Sequence, residues 1–204
     1  RRLEYASDEK RQQVEAECRT FFEEPKFRIV STAGCDMSRT TGKMLEAMKG
    51  LGEDYELLLI GESEEEDEQI VRGTIRRLGL TNVKILPRMD QDHLKYFIQN
   101  SQAGMVAYHQ RDLNNRYCAS GKIFEFLFEG KPVVTSTNPP LKDFCEKYRA
   151  GQASDDYEQA VRELAGRYEQ WQNHVERLIS RIHVEQNNKK LADQIRSLLE
   201  ELKR

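Results

Sequence analysis

From residue 27 onward, short apolar runs alternate with segments of helical periodicity. Phe27-Arg28-Ile29-Val30, Leu57-Leu58-Leu59-Ile60, Val83-Lys84-Ile85-Leu86, Met105-Val106-Ala107-Tyr108 and Pro132-Val133-Val134-Thr135 read as five strands. Each run is continuous rather than alternating, which means burial on both faces, as in a parallel sheet covered by helices. Between them, Met44, Leu45, Met48 and Leu51 fall at helical spacing. Ile70, Val71, Ile75 and Leu78 mark a second helix that Gly79 stops. Leu94, Phe97 and Ile98 mark a third, capped at Asp90 or Asp92, and residues 121–128 a fourth. Repeated βα units of about 25 residues predict a Rossmann-like, doubly wound parallel sheet.

Two flanks lie outside this repeat. Val14, Cys18, Phe21 and Phe22 share one stripe in residues 8–22 and predict an amphipathic helix ahead of the first strand. Tyr157, Val161, Leu164, Tyr168, Trp171, Val175 and Leu178 form a long stripe near the other end. After a predicted break at Asn187-Asn188, a last helix carries Leu191, Ile195, Leu198 and Leu202. The expected division is a helical flank over 1–25, an α/β domain over 26–182 and a terminal helix over 183–204.

Charge changes this picture little. Lys and Arg total 32 against 35 Asp and Glu, a net −3, and acidic and basic residues are interspersed. That balance gives no electrostatic case for nucleic acid or an anionic membrane surface. No stretch approaches the roughly 20 apolar residues of a spanning helix, and no signal-peptide pattern opens the chain. Cys18, Cys35, Cys118 and Cys145 are scattered, which suits a reducing cytoplasm. The chain begins at Arg1 rather than Met, so a fragment or processed chain is expected.

In an open parallel sheet, ligands bind beyond the carboxyl ends of the strands, near the point where strand order reverses. The loop over 31–42 is rich in small and hydroxyl residues, and Arg39 stands just before a helix. Backbone N–H groups, the helix dipole and a guanidinium suit phosphate there, although a plain surface loop fits equally. It matches neither a Walker A loop nor a G-x-G-x-x-G fingerprint. The loop over 109–121 delivers Ser120-Gly121 to a helix start, and Lys122 and Glu125 share a helical face. They form either a surface ion pair or a ligand-facing pair, with Lys122 on a diphosphate and Glu125 on a ribose diol. His93, His109, His174 and His183 show no metal-ligand spacing, and no nucleophile elbow is present.

Residues 120–134, SGKIFEFLFEGKPVV, decide between these readings. They resemble the signature of group 1 glycosyltransferases of the GT-B fold, in whose C-terminal domain Gly-Lys-Pro-Val-Val follows a helical glutamate by five residues. Glu125 and Gly130 to Val134 match that register. Residues 57–61 are similar to the family's LLIVG strand, 83–88 to its V-x-F-L-G strand, and His183-Val184-Glu185 to its terminal crossing segment. The resemblance covers residues 27–204.

The resemblance implies roles residue by residue. Glu125 matches the second glutamate of an E-x7-E motif, which contacts the donor ribose. Arg39 falls where the family has a diphosphate-binding lysine, Lys122 matches a lysine near the phosphates, and Gly34 lies at the family's arginine position. Arg88 belongs to the loop that holds the base, and Ser120 and Gly121 open the binding helix. Tyr117 stands where the first glutamate is expected, which leaves the donor sugar undefined.

The implied protein is the donor-binding half of a glycosyltransferase in polysaccharide biosynthesis. It moves a hexose-type sugar from a UDP- or GDP-linked donor with retention, Arg39 and Lys122 acting in catalysis. No separate cofactor or metal is implied. The partner is the N-terminal GT-B domain, through which the cytoplasmic protein would touch the inner membrane face. A sugar-nucleotide epimerase of the same fold and a non-catalytic nucleotide-sugar-binding module are the alternatives.

Overall fold

A computed structural model describes residues 2–182 and 184–201, and it gathers six strands into one sheet. These are β1 (Phe27–Ser31), β2 (Tyr55–Ile60), β3 (Val83–Leu86), β4 (Ala103–Val106), β5 (Val133–Thr135) and β6 (Gly151–Ala153). All neighbours pair in parallel, in the spatial order β3-β2-β1-β4-β5-β6. Strand order reverses between β1 and β4, so the loops after these two strands diverge and leave a crevice between them.

Alternate residues of each strand feed two apolar layers. Val30, Leu58, Val106 and Val133 face one layer, with α1 (Asp8–Cys18), α4 (Gln91–Gln99), α6 (Lys122–Leu127), α7 (Pro139–Tyr148) and α9 (Tyr168–Ile179). Ile29, Leu57, Leu59, Met105 and Val134 face the other, with α2 (Thr41–Leu51), α3 (Glu65–Leu78) and α8 (Tyr157–Gly166). This two-sided burial is why the strands carry unbroken apolar runs.

Helix ends follow the local chemistry. Asp90 is the N-cap of α4, accepting a hydrogen bond from His93 N, while Asp92 accepts one from Ala6 N and pins the N-terminal segment. Gly79 closes α3 with φ +67°. Asp156 caps α8 by accepting from Gln159 N.

Several elements differ from the sequence reading. The sheet has a sixth strand, since Gly151-Gln152-Ala153 pairs with β5 despite lacking an apolar run. A Cβ at Gly151 would lie 1.8 Å from Val133 O, so this edge tolerates little else. Strand β4 begins at Ala103, two residues ahead of the Met105 start that hydropathy suggested, and Gly104 leaves room for the Phe126 ring. The single stripe over 157–178 is two helices, broken at Arg167.

The last helix, α10 (Val184–Glu201), runs through Asn187 and Asn188 instead of starting after them. Leu191 and Ile195 on it are exposed. Ile70, assigned to the inner face of α3, is exposed as well, and Val71 alone of that stripe is fully buried. His183 and Leu202 lie outside the described residues, as do the side chains of Val184, Glu185 and Leu198.

Candidate functional site

The carboxyl end of β1 continues into a tightly knitted loop. Gly34 N donates to Ile60 O at 3.0 Å, Cys35 N to Ser63 Oγ at 2.9 Å and Met37 N to Asp67 Oδ2 at 3.1 Å. Ser38 N and Arg39 N are both held by Asp36. These amides, expected to be open to a phosphate, are occupied by protein acceptors. Gly34 has φ +60°, and an added Cβ would stand 2.6 Å from Glu62 O. Its immediate role is therefore the close approach of the loops after β1 and β2.

Facing this loop is the segment after β4. His109 N donates to Ser38 O at 3.1 Å, joining the two sides of the switch point. Tyr108 bridges further, since its hydroxyl donates to Ser120 Oγ at 2.8 Å while its ring lies 4.0 Å beneath the Arg39 guanidinium. Buried Asn138 ties the floor together. It accepts from Ser136 Oγ and donates to Asn115 O at 2.8 Å and to His109 O at 3.4 Å.

Between the two loops lies a cleft of about 480 Å³, lined among others by Thr40, Lys43, Tyr108, His109, Arg111 and Asp155. Lys43 reaches Asp155 at 3.7 Å, and α2 opens onto the cleft through Thr40, Gly42 and Lys43. Thr40 holds φ +57°, an uncommon conformation for a β-branched residue, with its hydroxyl 2.8 Å from that of Tyr157.

Of the predicted residues, three converge and two stand apart, while Gly34 packs the loops after β1 and β2 and Glu125 is partly buried on α6. Arg39, Ser120 and Lys122 meet at the switch point: Arg39 and Lys122 line one small recess with Tyr108, and Ser120 Oγ receives Lys122 N at 3.3 Å. Lys122 Nζ donates to Thr32 O at 2.8 Å rather than to Glu125. Arg39 is paired with Asp36 at 3.1 Å, yet its Nη1 is buried without a partner, as is Thr32 Oγ1. Burial, with the Arg39 charge adding to it, holds the Lys122 ammonium below the ordinary lysine pKa. Burial pushes the Glu125 carboxyl above its ordinary range, and the Lys122 charge pulls it back.

Arg88 and Gly121 stand apart. Arg88 is exposed on the loop after β3 and reaches Glu62 at 3.3 Å. Gly121 is exposed at the start of α6 and approaches nothing where its Cβ would be. The sequence reading did not single out Tyr108 or Lys43, marked Thr40 only as part of the loop over 31–42, and took Asp155 as a helix-start signal. Tyr108 left a signal of its own, as an aromatic with a polar tip at the end of a buried run.

No cluster of three or more His, Cys, Asp or Glu side chains is placed to hold a metal ion among the described residues. No described helix is long and apolar enough to cross a membrane.

No family model and no curated protein sequence matches the chain. Solved structures do. Anabaena HepE, crystallised in complex with UDP and glucose, superposes with a TM-score of 0.72 at 14% identity, over 91% of this chain and 52% of its own. Sucrose-phosphate synthase from Thermosynechococcus elongatus gives 0.71 at 16% identity, over 92% and 49%. WaaG, a glycosyltransferase involved in lipopolysaccharide biosynthesis, gives 0.65 at 15%, over 91% and 50%.

The fold is that of one GT-B half. The chain spans about half the length of the solved structures it matches. The all-parallel six-stranded sheet with its flanking helices matches the Rossmann-like halves of that fold.

Proposed function

We propose that the chain is the donor-binding half of a glycosyltransferase that takes a nucleoside-diphosphate sugar at the switch-point cleft. The observation that carries this reading is the pair of cations in the small recess at the switch point, which shares Tyr108 with the cleft. Arg39 has a buried Nη1 with no partner, and Lys122 is desolvated beside it. Bringing two positive groups together at a cost in solvation is offset when a diphosphate arrives between them. HepE, which shares the fold, was crystallised with UDP-glucose as well as with UDP.

In this reading Arg39 and Lys122 stabilise the charge that develops on the departing diphosphate, and no protein nucleophile is used. Lys122 exchanges Thr32 O for a phosphate oxygen. Glu125 accepts hydrogen bonds from the ribose hydroxyls, and Arg88 and the loop after β3 face the base. The transferred sugar is of hexose type and leaves with retention. The acceptor sits on a second GT-B domain, against which α10 packs with exposed Leu191 and Ile195.

Titration calorimetry of the chain with UDP, GDP and ADP tests the reading. Saturable binding of at least one is expected, and no heat from any of them at millimolar concentration would sink it. Incubating the two-domain protein with a nucleotide sugar and no acceptor separates transfer from epimerisation, because only an epimerase would interconvert the sugar.

A further inference from the structure

Away from the cleft, a second cavity of about 380 Å³ opens between the end of α7, β6 and the start of α9. It brings together Arg149, Arg167, Gln170, Trp171 and His174. Trp171 Nε1 and His174 Nδ1 are shielded from solvent and have no hydrogen-bond partner. Buried polar atoms are normally paired, so two orphans in one cavity call for a ligand atom or water. Arg149 holds φ +51°, and the only other described non-glycine residue with positive φ is Thr40, at the cleft. At Arg149 this is the left-handed cap that ends α7 and turns the chain toward β6, beside the cavity.

The charges around this cavity are also open. Arg149 and Arg167 make no ion pair among the described residues, whereas Glu146 lies 3.8 Å from Lys142 and Gln152 bonds to Glu163.

We propose that this cavity is a second ligand site, for a small phosphate monoester of a polyol. Two guanidinium groups match a phosphate dianion better than a single carboxylate. The indole N–H and the Gln170 amide can donate to ester or hydroxyl oxygens. The His174 nitrogen donates or accepts according to its tautomer. The Trp171 ring supplies an apolar wall for the carbon skeleton, and the volume falls within the usual range for small-molecule sites. None of these side chains lines the switch-point cleft, so the proposal stands apart from the donor reading.

Trp171 is the one tryptophan in the chain, so its fluorescence reports this cavity directly. The experiment titrates the full chain with ribose 5-phosphate, inorganic phosphate and ribose at fixed ionic strength. The expected result is a saturable change with ribose 5-phosphate, a weaker one with inorganic phosphate and none with ribose. Arg149→Gly removes a guanidinium while relieving the backbone strain, and Arg167→Ala removes the other. Each should weaken binding about tenfold with the thermal midpoint preserved. The proposal is overturned by no saturable change at millimolar ligand, or by an equal change with added chloride. Full affinity in the double variant would overturn it too, as would competition by UDP, which would place the ligand in the cleft.

Discussion

Arg28 and Arg39 flank the same strand and live in opposite circumstances. At the amino-terminal edge of β1, Arg28 is buried and engaged through Nε and Nη2. It meets Glu56 at 2.9 Å, Glu24 O at 2.8 Å and Phe21 O at 3.4 Å, with Phe22 stacked against it. At the carboxyl edge, Arg39 keeps an unpartnered buried nitrogen and a second cation, Lys122, nearby. A closed network of this kind serves the fold, and one left open at the end where parallel sheets bind ligands is available for binding.

Removing a partner from the closed network should have the largest effect. Glu56→Ala leaves Arg28 buried and unpaired, and should cost about 3–5 kcal/mol in urea denaturation. A loss well under 1 kcal/mol would erase the contrast. At the open end the expected effect moves from stability to binding. Lys122→Met removes a desolvated charge, so the denaturation midpoint should hold or rise while nucleotide affinity falls by about 1.5–3 kcal/mol. A destabilised protein with intact affinity would make Lys122 structural.

Glu125→Ala should weaken nucleotide binding by about 1–3 kcal/mol through lost charge-assisted hydrogen bonds. Unchanged affinity in calorimetry would remove it from the proposed site. The smallest effect is a pH dependence at the N-terminal flank. His93 lies between Asp90 at 2.7 Å and Glu17 at 3.1 Å, and those carboxylates raise its pKa above the ordinary 6.5. Its folded pKa being raised, the stabilisation is full below pH 6.5 and is lost as pH rises through the folded value. His93→Gln should therefore lower the thermal midpoint in acid and leave it unchanged in alkali.

The elements visible in the sequence are those whose local chemistry and burial agree. The runs at 27–30 and 57–60 are strands because both faces meet helices, and the run at 83–86 forms the sheet edge with Lys84 exposed. Asp90 and Gly79 act through their immediate neighbours. Strand β6 and helix α7 went unseen. Gly151-Gln152-Ala153 has no pattern of its own and is a strand only because β5 offers it hydrogen bonds. The split at Arg167 was hidden by a stripe that continues across it in sequence and turns in space.

The candidate site shows the same division. A parallel sheet sends its ligand to the carboxyl ends, which makes every loop after a strand a candidate. Composition singled out those over 31–42 and 109–121; that β1 and β4 flank the switch point is set by the strand order. Arg39, Ser120 and Lys122 stood out as charged or hydroxyl residues beside helix starts. Their convergence through Tyr108, Thr32 and Asn138 depends on contacts between positions far apart in the chain, which no local spacing encodes.

By itself, the sequence determined the layered α/β architecture, because continuous apolar runs between amphipathic helices have one economical arrangement. Only the tertiary structure decided which polar groups are satisfied and which are left open. That outcome depends on which atoms come within hydrogen-bonding distance, as Arg28 and Arg39 show at the two ends of β1.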